Sequence, residues 1–214
     1  MKTKIGIIFD DGFKASSIVT AKVFEQYKLP AYFAVLAEPR DFSPKIVKGD
    51  FELWNELQAR GHVVYPHGYT HVKMSDIPHE QAVDELKRCL ATFSEKLTGF
   101  DANQAMYAFA YNCGTPALCE WLLNRVRIAR IGGTGFLSDA DLKSRIWHNV
   151  THGPDDPGEH FLDHLEQCRV KKPPAFFYSL HGIDGEAWGA IALDKLKRIL
   201  DLITTDDAFE YWRL

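Results

Sequence analysis

Two hydrophobic periods alternate along this chain, and that alternation limits the folds open to it. The apolar runs "KIGIIF", "PAYFAVLA", "HVVYPH", "AMYAFAY", "VRIARIGG", "SRIWHNV" and "PAFFYSLHG" read as strands. Between them, "SSIVTAKVFEQY", "DFELWNELQARG", "PHEQAVDELKRCLATFSEKLTG", "PALCEWLLNR", "GEHFLDHLEQC" and "ALDKLKRILDLI" read as helices, and "AFEYW" closes the chain. Ser16 or Ser17, Asp76 and Pro116 stand where helices begin, and Gly61 and Gly99 where they stop. Strands alternating with helices predict an α/β fold with a mostly parallel sheet covered by helices. About seven repeats favour a barrel-like closure over an open sheet. No linker, repeat or low-complexity stretch divides the chain, so residues 1–214 are expected to form one domain.

In either architecture ligands sit at the carboxyl ends of the strands. Here those ends carry Asp10-Asp11-Gly12, His67, the segment "AYNCG" and His181, on one face of the expected fold. Two adjacent carboxylates repel each other, and each resists leaving water. A nearby dication removes that objection. His67 and His71 in "HGYTH" have the i, i+4 spacing that joins two imidazoles on one helical turn. Two imidazoles and one carboxylate make a three-ligand site for a catalytic divalent metal, usually zinc. Successive side chains of an extended chain point opposite ways, so one aspartate can bind metal while the other acts as general base. The residues alone leave open which does which. His148/His152 and His160/His164 repeat the spacing, but no strand-end carboxylate joins them, and "GEHFLDHLE" reads as an amphipathic helix with a solvated polar face.

Composition narrows the partners. A net charge of -4 gives no reason to expect nucleic acid or an anionic membrane. No apolar run reaches the length of a membrane span, and "IGIIF" after "MKTK" is too short for a secretory leader, so a cytoplasmic location is expected. Cys89, Cys113, Cys119 and Cys168 form no C-x-x-C pair and read as free thiols rather than zinc ligands.

The combination resembles the polysaccharide deacetylases, also called NodB-homology domains or family four carbohydrate esterases. "IFDDG" is similar to the motif T-F-D-D-G with Ile8 for threonine, and "HGYTH" to H-[ST]-x-x-H with Gly68 in second place. "FAYNCG" at Phe109 to Gly114 is similar to F-A-Y-P-Y-G, and "YSLHG" to the last motif, a strand ending L-H. The resemblance implies a distorted (β/α) barrel of about seven parallel strands. It implies Asp10 as base, and Asp11, His67 and His71 as ligands of one divalent metal, zinc above others. His181 would be the acid that protonates the leaving amine, and the Cys113 N–H would help hold the oxyanion. Arg145 resembles the arginine that some members place late in the chain to orient the base. Asn112 and Cys113 replace the variant motif's proline and tyrosine, which changes the groove wall. The carboxylate that would support His181 has no clear match; Asp184 is a nearby candidate.

The implied reaction is hydrolysis of an acetamide, with an N-acetylated sugar or glycan as substrate. Tyr69, Tyr111, Trp147 and Trp188 lie beside the site segments and are candidates for stacking on a sugar ring. The alternatives are a hydrolase of a non-sugar linear or cyclic amide on the same scaffold, and an inactive carbohydrate-binding relative.

Overall fold

The first strand, β1 (Thr3–Asp11), buries every residue except Lys4. Such a run belongs in a sheet covered on both faces, where alternation gives way to continuous apolar sequence. The computed structural model describes residues 2–39, 42–43 and 45–213. After β1 come α1 (Lys14–Gln26), β2 (Tyr32–Val35), α2 (Phe51–Ala59), β3 (Val63–Pro66), α3 (His79–Lys96) and β4 (Met106–Ala108). The order continues with α4 (Pro116–Leu123), β5 (Ile128–Gly132), β6 (Phe136–Leu137), α5 (Asp139–Ser144) and β7 (Ile146–Asn149). The chain finishes with α6 (Pro157–Lys171), β8 (Ala175–Leu180), α7 (Leu193–Thr205) and β9 (Phe209–Tyr211).

The α/β class holds, but the strands pair as two sheets rather than one closed ring. One runs β3-β2-β1-β8-β6 with β9 also on β1; the other runs β4-β5-β7. All these pairings are parallel except β6 on β8. On one edge of β1, β9 takes Thr3 to Ile5 and β2 takes Ile8 to Asp11. Between the sheets, Val150 follows β7 and donates to the Phe177 carbonyl, while its own carbonyl accepts from Ser179 N–H. On the other side β3 and β4 lie adjacent without strand pairing among the described residues. β6 and α5 are too short to give a periodic signal, and neither is expected from the sequence.

The helices close over this framework. Leu196, Ile199, Leu200 and Ile203 of α7 are buried at helical spacing. Gly6 in β1 faces the Phe177 ring of β8; a Cβ there would come within 2.5 Å of it, so only glycine lets the two central strands pack this closely. The first turn of α1 is tied by Ser16, whose N–H and hydroxyl both donate to Glu186. Asp76 does not cap α3: it lies in a separate short turn and pairs with Lys73, and Pro78 precedes the helix. All four cysteines are free. Burial pushes the Cys89 and Cys168 thiols up to about 12 and Cys119 up to about 11, which leaves them inert. Among the described residues no helix is long and apolar enough to cross a membrane.

Candidate metal centre and active site

The carboxyl ends of β1, β3, β4 and β8 deliver their polar residues into one cavity of about 390 Å³. It is lined by Asp10, Asp11, His67, His71, Asn112 and His181, with Tyr111 and Trp188 at its mouth among others. A larger groove of about 510 Å³ runs along α3, past Glu80, Asp84 and Arg88. It holds none of the strand-end residues, so volume alone does not locate the chemistry.

Asp11, His67 and His71 place one ligand atom each within 4.8 Å of one another. Asp11 Oδ1 lies 3.3 Å from His67 Nε2 and 3.1 Å from His71 Nε2. Burial would raise the Asp11 carboxyl, but the bonds from His67 and His71 outweigh it and hold the group well below the usual carboxylate range. These contacts stand where bonds to a shared cation would be, and the donor set fits a borderline divalent metal. His67 Nδ1 lies 3.2 Å from the Ala108 carbonyl at the end of β4, a contact that bridges the unpaired seam between β3 and β4. Donation there leaves Nε2 with a lone pair free to bind a metal. The two histidines sit on an irregular loop, not the helical turn that the spacing suggests. His71 itself has a φ of +63°.

Left-handed backbone concentrates here. Of the ten non-glycine residues with positive φ among the described residues, Asp11, Ser43, His71, Tyr111 and Asn112 line this cavity. Such residues each store about 1–3 kcal/mol and persist where the surroundings over-determine them.

Asp10 is 3% exposed, and its Oδ2 accepts a bond of 2.8 Å from Nη2 of Arg130, which is fully buried. Arg130, not Arg145, is therefore the arginine that orients this carboxylate. Arg145 is exposed in a left-handed cap after α5, at the amino end of β7 and so at the opposite end of the strands from the site. The signal is present in "IARIG", residues 128–132, where Arg130 is the one charge in an otherwise apolar strand.

His181 follows β8. Burial lowers its imidazole below the ordinary value, against the partial support of the Asp11 and Asp10 charges. Its Nδ1 is buried without a partner among the described residues. Asp184 does not support it, since that carboxylate accepts from the Leu193 N–H. Trp188 meets the His181 ring edge-on at 5.1 Å and stays half exposed, and Tyr111 lies 4.5 Å from the His71 ring.

The other aromatic candidates are elsewhere. Trp147 is buried against Phe177 and Trp212 near the start of β7. Tyr69 turns away beneath the Arg88 guanidinium, 4.0 Å from its ring centre. Cys113 does not line the cavity, and its N–H is spent on the Ala110 carbonyl, so it is no oxyanion donor. The sequence places Asn112 in the groove wall, but Thr151, Phe42 and Ser43 are not expected from it to line the cavity. His160 and His164 are half-buried rather than a solvated face: His160 stacks on His152 at 4.1 Å, and His164 stacks on Phe136 and Phe176. Neither this cluster nor His148 makes a second three-ligand group among the described residues.

Burial also lowers His62 and His152, as it does His181. His62 Nδ1 accepts from the Ala31 N–H, a bond that protonation would break. With folded values below 6.5, the unfolded chain binds more protons, so stability is lost as pH falls through that value. The carboxyl groups that are lowered, Asp11 among them, lose their contribution only below about pH 4. Urea unfolding of chelator-treated protein at pH 7.5 and 5.5 is expected to show lower stability at the lower pH. Equal stability at the two values would contradict these assignments.

Fold and site together define a class, α/β proteins that carry their chemistry at the carboxyl ends of parallel strands. A model of the polysaccharide deacetylases matches residues 1–117, more than half of the chain, which therefore belongs to the polysaccharide deacetylase family. The family makes it a hydrolase of carbon–nitrogen bonds other than peptide bonds. No curated protein matches it. Among solved structures it is similar to a Mycobacterium smegmatis protein assigned to the polysaccharide deacetylases, at 13% identity and TM-score 0.70 over 98% of this chain and 86% of that one. A family 4 carbohydrate esterase from Streptomyces lividans, in complex with acetate, gives 15% identity and TM-score 0.62 over 99% and 92%. The peptidoglycan deacetylase PdaC from Bacillus subtilis gives 16% and 0.61 over 98% and 87%. At these identities the likeness is one of fold.

Proposed function

We propose that this protein is a metal-dependent de-N-acetylase acting on an N-acetylated sugar or glycan. One observation carries the reading. Three convergent ligand atoms, a carboxylate held by a buried arginine and a half-buried imidazole all border the same cavity. Asp11, His67 and His71 would hold the metal, and the donor set favours zinc. When bound, the metal polarises the acetamide carbonyl and acidifies water.

The chain's own residues supply the proton transfers. Asp10, fixed by Arg130, accepts the proton of the attacking water. His181 delivers a proton to the departing nitrogen, which leaves as an amine while the acyl group leaves as acetate. Its lowered value makes the imidazolium a stronger acid once formed, which suits a poor leaving group. Tyr111 and Trp188 are placed to stack on sugar faces at the mouth. The distorted seven-stranded barrel that goes with this reading is supported by two contacts between the sheets, Val150 beside β8 on one side and His67 on the Ala108 carbonyl on the other.

The test is acetate release from N-acetylglucosamine oligomers by zinc-loaded protein. Release is expected to stop on chelation and return on adding zinc. Release that is indifferent to chelation would contradict the metal. Turnover confined to non-sugar amides would move the reading to the alternative hydrolase.

A further inference from the structure

Three of the buried, unpartnered side-chain atoms around the cavity belong to the proposed machinery: Asp10 Oδ1, His71 Nδ1 and His181 Nδ1. Two do not. Asn112 Oδ1 and Thr151 Oγ1 are also buried, without a partner among the described residues, and both residues line the same cavity. A buried polar atom left unsatisfied costs about 1–3 kcal/mol, and a cavity wall is where a ligand relieves that cost.

The backbone holds both residues firmly. Asn112 has a φ of +56° directly after Tyr111 at +55°, and its N–H is bonded to the Phe109 carbonyl. Asparagine tolerates the left-handed region better than most residues. Gly132 of β5 makes room for it; a Cβ there would come within 2.9 Å of Asn112 Cβ. Thr151 follows Val150, which both bonds to β8 clamp in place.

We infer that Asn112 and Thr151 are the polar contacts that recognise the substrate, bonding the hydroxyl and amide groups of an N-acylated amino sugar beneath the stacking pair Tyr111 and Trp188. An amide offers an acceptor and donors, and a hydroxyl offers both, which matches a polyhydroxylated ring rather than an apolar amide. This rests on the deacetylase reading and adds the groups that give it specificity.

The probe is triacetylchitotriose with zinc-loaded wild-type, Asn112→Gly and Thr151→Val proteins. Glycine keeps the left-handed backbone and valine keeps the shape, so folding is not at stake. Each variant is expected to raise KM about tenfold, as one lost hydrogen bond implies, with the loss in KM rather than kcat. Unchanged KM in both variants overturns the inference while the deacetylase reading stands. A fall in kcat alone also overturns it, because the side chains would then act on the reaction and not on recognition. Wild-type protein that does not hydrolyse the probe at all defeats the reading itself, and this inference with it.

Discussion

Replacing Arg130 with methionine is expected to remove most activity and about 3–5 kcal/mol of folding stability, the range seen when one partner of a buried ion pair is deleted. Arg130 is fully buried and Asp10 nearly so, and 2.8 Å separates them. Without the guanidinium, β1 carries a carboxylate in the interior with no countercharge. Arg130 Nε and Nη1 have no partner among the described residues, so the arginine acts chiefly on Asp10. Urea unfolding and acetate release measure both effects. Arg130→Lys returns a charge without the planar fork and should recover part of the stability but little of the activity. Full activity in either variant would show that Asp10 does not depend on this bond.

His67→Ala is expected to have the second large effect. Partners that only orient a metal-bound imidazole command about 10–100-fold in metal affinity, so deleting a ligand itself should cost more. His67 is also the residue that joins the end of β3 to the Ala108 carbonyl of β4. Stability that zinc adds to wild-type protein by binding only the folded state should therefore be absent from the variant.

Much of this site was legible in the sequence because it is local. Asp10 and Asp11 end, and His67 and His181 follow, strands visible in the apolar pattern, and parallel strands bring their carboxyl ends to one face. What failed depends on long-range geometry. Arg130 meets Asp10 across 120 positions, a relation set by which strands face each other across the interior. Arg145 and Trp147 lie in the right segment but at the wrong end of β7, because the left-handed cap after α5 starts the strand there. Tyr69 is one residue from Gly68, yet an irregular loop turns it onto Arg88. The same loop, not a helix, brings His71 to His67, so the spacing was informative for a reason other than the one it suggested. In sequence Asn112 stands out only as a departure from the motif's proline; its left-handed backbone against Gly132 and its unpartnered oxygen appear only in the structure.

The central claim is that Asp11, His67 and His71 hold one metal ion. Elemental analysis of untagged wild-type and His67→Ala protein, each reconstituted with zinc and desalted, tests it directly. About one ion per chain in the wild type and almost none in the variant is the predicted result. One ion per chain in both would place the metal elsewhere and contradict the account.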